Sequence, residues 1–171
     1  MRSLVVSLGI LLGLLSARVA SADPATIWSA NAASCVPAQA LSSSVTISAG
    51  AVYVTTSPVY FYCPINTSLR QSNGTSNTLT LVYSGTSNYG CSGLCTAPHF
   101  TEADLVALSR STGAETTVVA LGSTTSSVAT SVSSSFSYAF DFDANVYYVR
   151  ILVRGSTTYP QYVYAVALKD S

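Results

Sequence analysis

Four cysteines are the residues whose type and spacing point most directly to chemistry: Cys35, Cys63, Cys91 and Cys95. In an exported chain an even number of cysteines indicates disulfides, and four of them allow three pairings. We predict a Cys35–Cys63 bridge that ties the N-terminal segment to a strand, and a Cys91–Cys95 bridge that closes a tight loop. Redox catalysis is disfavoured because a catalytic disulfide normally encloses two residues, and here Ser92-Gly93-Leu94 separate the pair.

The single histidine, His99, is the candidate for a general base or for a zinc ligand beside Cys91 and Cys95. A serine hydrolase would also need a Gly-x-Ser-x-Gly turn to present its nucleophile, and the sequence contains none. Zinc would need a fourth ligand, and none is evident. We interpret His99 as a structural loop residue and predict no cofactor.

Acidic residues offer two further sites. Asp141, Asp143 and Asn145 match the first oxygen-ligand positions of a calcium loop, but Val146 and Leu152 occupy the places of its glycine and its bidentate acid. A hairpin turn explains the same residues, so calcium is only a weak candidate and we predict no metal site. A glycosidase would need two carboxylates at a defined separation, and nothing in the sequence brings any two acids to it. The candidates are Glu102, Asp104, Glu115, Asp141 and Asp143. We therefore predict no catalytic residue.

Tyrosines provide the predicted binding residues. Tyr53, Tyr60, Tyr62 and Tyr148 fall on the outward faces of their predicted strands. Flat amphipathic rings on an exposed sheet suit stacking on sugars or packing against another protein. The alternative is that these tyrosines are half-buried strand formers covered by loops.

The elements that must position these residues are strands, because apolar residues recur with a period of two. The predicted inward faces include Val52 and Val54, then Val59, Phe61 and Cys63, and then Leu79, Leu81 and Tyr83. Thr101–Asp104 resembles a helix start, but the turn signal at Gly113 favours a strand on each side of Ser111–Glu115. Ser123–Ser135 is predicted to be a loop or an edge strand. Together these patterns predict an all-β, disulfide-stapled, antiparallel two-sheet β-sandwich of jelly-roll or immunoglobulin-like type.

The late strands have the strongest patterns. The first predicted face carries Phe136, Tyr138, Phe140 and Phe142, the second Tyr147, Val149, Ile151 and Val153, and the last Tyr162, Tyr164, Val166 and Leu168. We predict that Asp143-Ala144-Asn145 joins the first two as a hairpin at the centre of the sandwich. Ile151 should then be buried, and Arg150 should be exposed and tolerant of substitution unless it pairs with a buried acid.

The first 22 residues form a predicted secretory signal peptide. Arg2 provides the positive start, Leu4–Leu15 the apolar run, and Ala20-Ser21-Ala22 the small-residue cleavage site. We predict cleavage after Ala22, leaving residues 23–171 as a single secreted or periplasmic domain. Asn66 and Asn73 begin glycosylation acceptor sequences, which matter only in a host that glycosylates exported proteins.

Charge and hydropathy exclude other partners. After cleavage seven acidic residues remain. The basic residues are only five: Arg70, Arg110, Arg150, Arg154 and Lys169. So few cations cannot neutralise a run of phosphates, so nucleic acid is not a predicted partner. Beyond the signal no apolar run reaches the roughly 20 residues of a membrane-spanning helix.

Three short motifs resemble those of uncharacterised small secreted β-sandwich proteins of bacteria. They are Cys35-Val36-Pro37, Cys63-Pro64-Ile65, and Asp141-Phe142-Asp143 leading to Tyr147-Tyr148-Val149-Arg150. The resemblance covers most of residues 23–171 and implies export and a sandwich, with no activity or site residue.

The sequence therefore predicts a secreted, non-enzymatic binding protein. Its ligand would be a glycan or a surface protein, bound through an aromatic sheet face or the loop at Ser84–Pro98. The alternative is a structural or assembly subunit whose exposed strand adds to a neighbouring sheet. A hydrolase with a shallow site is a third possibility.

Overall fold

Eleven strands make up most of the described chain. The computed structural model describes residues 26–38, 45–55, 58–66, 76–86 and 99–170. The strands are β1 (Thr26–Asn31), β2 (Val36–Pro37), β3 (Val45–Ser48), β4 (Ala51–Val54), β5 (Pro58–Pro64), β6 (Ser76–Gly85), β7 (Phe100–Ser109), β8 (Glu115–Gly122), β9 (Ser126–Ser137), β10 (Asn145–Arg154) and β11 (Gln161–Asp170). A single 3-10 turn, Ala32–Ser34, follows β1. Among these residues no helix is long and apolar enough to cross a membrane.

The strands form two antiparallel sheets, as the sequence predicts. Sheet A has the order β3-β4-β11-β6-β9, with β1 also paired to β11, and sheet B has the order β2-β5-β10-β7-β8. From β4 onward the chain crosses between the sheets at every connection except β7 to β8. This alternation places β4-β11-β6-β9 over β5-β10-β7-β8, which is a jelly roll rather than an immunoglobulin-like sandwich.

The core lies between the sheets and confirms the predicted inner faces. Sheet A contributes Val52, Val54, Leu79, Leu81 and Tyr83, and sheet B contributes Phe61, Cys63, Tyr147, Val149, Ile151 and Val153. β10 is the central strand of sheet B, so its inner side chains are covered by strands on both sides as well as by sheet A. Burial of this apolar area is the main favourable term in folding.

The β7–β8 connection confirms the predicted strand and turn. Thr101–Asp104 belongs to β7 and does not begin a helix. Gly113 takes a positive φ of 70° and ends the turn that returns the chain into β8, a conformation that glycine adopts at little cost. Ser126–Ser137 forms an outermost strand of its sheet. Of the two alternatives predicted for Ser123–Ser135, the edge strand is therefore the one observed.

The predicted hairpin between the two late aromatic strands is wrong. β9 ends at Ser137 in sheet A, and β10 lies in sheet B, so residues 138–144 cross from one sheet to the other. The alternation of faces nevertheless continues through the crossing. Tyr138, Phe140 and Phe142 pack edge-on around the buried ring of Tyr147, at centroid distances of 6.0, 4.9 and 5.0 Å. The alternating pattern of these aromatic residues therefore indicated which side chains are buried. It did not indicate which strands pair.

The hydrogen bonds of Tyr147 explain how this crossing is held. Its hydroxyl accepts the backbone N–H of Asp141 at 2.9 Å and lies 3.5 Å from the hydroxyl of Tyr138. Burial and this hydroxyl contact raise the pKa of Tyr138 to about 12. The phenol of Tyr138 thus stays protonated and available as a donor at neutral pH.

The predicted Cys35–Cys63 disulfide is present. Val36 pairs with Tyr62 in the β2–β5 ladder, which puts Cys35 directly opposite Cys63. Their Cα atoms are 4.5 Å apart, the spacing of a non-hydrogen-bonded cross-strand pair. The bridge therefore fixes the point at which the chain leaves the sheet A side and enters sheet B. Cys91 and Cys95 lie outside the described residues, as does most of the Ser84–Pro98 segment.

Candidate functional site

A β-bulge in β11 determines which aromatic residues face outward. The sequence pattern predicts Tyr162, Tyr164, Val166 and Leu168 on one face, and this prediction is wrong. The register of β11 against β6 shifts between Val163 and Ala165, so the alternation changes phase at that point. Val163 and Val166 are both fully buried, whereas Tyr162 and Tyr164 lie on the outer face of sheet A.

Tyr162 and Tyr164 form a cluster with Tyr53, one of the predicted binding residues. We call Tyr53, Tyr162 and Tyr164 the tyrosine platform. Tyr53 of β4 lies opposite Tyr162 in the ladder, and the two rings stack at 4.6 Å between centroids with an interplanar angle of 26°. The hydroxyl of Tyr164 lies 3.0 Å from that of Ser84 on β6. The stacking contact thus orients the rings of Tyr53 and Tyr162, and the contact with Ser84 orients the ring of Tyr164.

The tyrosine platform lines a depression of about 420 Å³ on the outside of sheet A. The other lining residues are small, and they come from β3, the β3–β4 turn and β4: Thr46, Ser48, Ala49 and Ala51. Because the neighbouring side chains are small, they leave the tyrosine rings accessible inside the depression. Its volume lies within the range of small-ligand sites.

The remaining predicted binding residues lie on the opposite side of the molecule. Tyr60, Tyr62 and Tyr148 are on the outer face of sheet B, so the four predicted tyrosines do not form one surface. Tyr60 is 37% exposed, but Tyr148 is only 9% exposed. The ring of Tyr148 packs edge-on against Tyr62 at 5.5 Å, and its hydroxyl donates to Glu115. Tyr148 is therefore a covered strand residue, as the alternative interpretation describes.

Charged residues lie on the same face. We call Asp104, Glu115 and Arg150 the sheet B ion pairs. Arg150 Nη2 lies 2.8 Å from Asp104 Oδ2, and Arg150 Nη1 lies 3.2 Å from Glu115 Oε2. The hydrogen bond to Asp104 raises the pKa of Arg150. Arg150 was predicted to tolerate substitution unless it pairs with a buried acid. Its main partner, Asp104, is such an acid, so the exception applies.

Glu102 lies two residues from Asp104 on the same face of β7. Partial burial and the negative charge of the adjacent Asp104 carboxylate raise the pKa of Glu102. Asp104 Oδ1 is buried and has no hydrogen-bond partner among the described residues. The structure therefore brings together two acids that the sequence could not place. Both acids lie on the outer face of sheet B, which also carries the salt bridges of Arg150.

Replacing Glu102 with glutamine should stabilise the protein at neutral pH. The unfolded chain titrates Glu102 near the usual pKa of 4.5, and the folded chain titrates it higher. Between these two values the native state binds more protons than the unfolded state, so the contribution of Glu102 to stability is lost as pH rises. Glu102→Gln should remove this loss, by about 1 kcal/mol or less because solvent screens the part-exposed group.

Denaturant melts from pH 4 to pH 8 measure this effect. The stability difference between Glu102→Gln and the wild type should grow with pH and vanish below about pH 4.5. Asp143→Asn is the control, since Asp143 is an exposed loop acid. A constant difference at all pH values would contradict a raised pKa of Glu102 in the folded protein.

The other candidate residues take structural positions. His99 stacks on Tyr159 at 4.4 Å between ring centroids. Asp141 Oδ1 accepts the backbone N–H groups of Asp143 and Ala144, and Asn145 Nδ2 lies 3.4 Å from the carbonyl oxygen of Asp141. These bonds are typical of an aspartate that caps its own turn. Within the part of the chain that the structure describes, no three His, Cys, Asp or Glu side chains come together as metal ligands.

No protein-family model matches the chain, and no curated protein sequence matches it. Among solved structures, the chain is similar to one described as "BiXyn10A CBM1 APO", with a TM-score of 0.48, 11% identity, and coverage of 85% of this chain and 99% of that one. It is also similar to "Carbohydrate-Binding Module CBM36 in complex with calcium and xylotriose", with a TM-score of 0.46, 16% identity, and coverage of 83% and 99%. A third, "CBM4 structure and function", has a TM-score of 0.46, 15% identity, and coverage of 74% and 88%.

Proposed function

We propose that this protein is a secreted, non-enzymatic binding module that takes a glycan on the outer face of sheet A. One observation carries the proposal: Tyr53, Tyr162 and Tyr164 line a depression of about 420 Å³. The apolar face of a sugar ring packs well on an aromatic ring, and the phenol hydroxyls can exchange hydrogen bonds with sugar hydroxyls. Sheet A thus offers both halves of the interaction on one surface.

The geometry also favours ligand binding over a purely structural role for these rings. A tyrosine that only covers a strand loses most of its exposure, as Tyr148 does on sheet B. Tyr53 and Tyr162 instead stack on each other beside residues as small as Ala49 and Ala51, and they stay accessible. An aromatic pair held in place before binding loses little conformational entropy when a ligand arrives.

Tyr162→Ala should weaken glycan binding by about tenfold or more, the loss expected of an aromatic anchor at the centre of a site. The wild type is screened on a glycan array, and the affinity of each variant for the best hit is measured by calorimetry. Tyr60→Ala is the matched control, because Tyr60 is an exposed tyrosine on the opposite face. Equal losses in the two variants, or a loss only in Tyr60→Ala, would move the site away from sheet A.

Export is the second part of the proposal. Residues 1–22 lie outside the described structure, and their sequence predicts a signal peptide. The Cys35–Cys63 disulfide supports export, since such bridges persist in oxidising compartments. N-terminal sequencing of the mature protein should read Asp23-Pro24-Ala25, and a secreted form that retains Met1 would contradict cleavage.

An assembly role is the second candidate, favoured by the character of β9. This strand is an outermost strand of sheet A, is 12 residues long, and carries Val128 with 67% exposure. Long exposed edge strands are templates for pairing with another chain. Measurement of molecular size at several concentrations decides between the candidates, because an assembly subunit should associate as its concentration rises.

A further inference from the structure

Two residues of the tyrosine platform, Tyr53 and Tyr162, belong to a row that crosses four neighbouring strands of sheet A, from β3 at one edge to β6. In the ladders Thr46 of β3 lies opposite Tyr53, Tyr53 opposite Tyr162, and Tyr162 opposite Ser84 of β6. Neighbouring strands are about 4.8 Å apart, so this row spans roughly 14 Å, and one more step reaches β9 at roughly 19 Å. The row is therefore much longer than one sugar ring.

A second depression continues the row beyond the platform. It has a volume of about 140 Å³, and the residues that line it come from the ends of β6 and β9 and from the loop before β11: Ser84, Gly85, Thr86, Ser126, Ser127, Thr158, Tyr159, Pro160 and Tyr162. Tyr162 borders both depressions. Ser84 of the second depression also contacts Tyr164 of the first at 3.0 Å. The two depressions are thus neighbours on one surface, joined at Tyr162.

The lining of both depressions is uncharged. It consists of Tyr, Ser, Thr, Ala, Gly and Pro residues. Burial and the neighbouring Tyr53 raise the pKa of Tyr162, so this phenol is neutral at physiological pH. The charges of the sheet B ion pairs lie on the opposite face. A charged ligand would find no counter-ion among the lining residues, whereas a neutral polyhydroxylated ligand would find hydroxyl partners throughout.

We infer that the ligand is an uncharged glycan chain of several rings that lies across the strands, with Tyr162 under its middle and Tyr159 contacting its far end. This inference rests on the proposed function and specifies its ligand. Tyr159 is suited to that contact, because it is 44% exposed at the border of the second depression while its other side stacks on His99.

A chain-length series tests the inference. Calorimetry is performed on the full mature protein with β-1,4-linked gluco-, xylo- and manno-oligosaccharides of two to six rings, and with oligogalacturonides as acidic probes. Affinity should rise with length up to about four rings, the number that fits the row. Tyr159→Ala should weaken ligands of four or more rings by about fivefold to tenfold and leave two-ring ligands within about twofold. Tyr60→Ala should change neither.

Each outcome decides a different point. Equal affinity for two-ring and six-ring sugars, an equal effect of Tyr159→Ala at all lengths, or a preference for oligogalacturonides would overturn the inference and leave glycan binding on sheet A intact. A wild-type protein that binds no glycan, on the array or in solution, would overturn the proposed function and this inference together.

Discussion

Replacing Ile151 with alanine is expected to lower the free energy of unfolding by about 2 to 5 kcal/mol. Ile151 is 1% exposed on the central strand of sheet B, between Phe61 of β5 and Ala103 of β7. The substitution removes apolar atoms from the core and leaves a cavity, since strands on both sides and the facing sheet limit collapse. Denaturant melts of the wild type and the variant measure the loss.

Val128→Ala is the control for this prediction. Val128 is also a strand residue that loses methyl groups, but it is 67% exposed, so its stability change should stay within about 0.5 kcal/mol. If Val128→Ala were the more damaging change, the inner face of the sandwich would be wrongly assigned. The outward position of the tyrosine platform would then fail as well, because both assignments depend on which face of each strand meets the core.

Removing the Cys35–Cys63 bridge should cost about 3.5 kcal/mol in the double variant Cys35→Ala, Cys63→Ala. The bridge joins residues 28 positions apart, and opening it returns the conformational freedom of that loop to the unfolded chain. Both cysteines are buried, so alanine keeps the sites apolar. Denaturant melts of the oxidised wild type and the double variant give the difference.

The single variant Cys63→Ala separates the cross-link from the side chain. It should lose about as much stability as the double variant, because either change opens the bridge. A loss below about 1 kcal/mol in both would mean that Cys35 and Cys63 are not linked in the folded protein. Mass spectrometry of a non-reduced digest identifies the linked peptides directly.

The two faces of the sandwich have different chemistry, and this division bears on function. Sheet B presents Arg150 with its acidic partners, and these charges already satisfy one another. Sheet A presents rings and hydroxyls without charge around a depression. The proposed site therefore lies on sheet A, which carries only Tyr53 of the four tyrosines predicted from the sequence.

Sequence alone determined the class of fold and the inner face of most strands. Period-two patterns such as Val52 and Val54, or Leu79, Leu81 and Tyr83, identify the buried side, because successive side chains of any strand point in opposite directions. The turn at Gly113 followed from an equally local signal, and the core-facing position of Cys63 in its strand supported its pairing with Cys35. These features depend on a few neighbouring residues, which a sequence shows directly.

Strand pairing and the position of the site were decided by the tertiary structure. Nothing local distinguishes a hairpin from the crossing at residues 138–144, since Phe140 and Phe142 alternate with polar residues in both cases. The bulge between Val163 and Ala165 had only one trace in the sequence, the three-residue spacing from Val163 to Val166. A bulge forms against a partner strand and moves every later side chain to the other face. Tyr162 and Tyr164 therefore became surface residues through the register of β11 against β6, a contact between segments about 80 residues apart that periodicity within one strand does not specify.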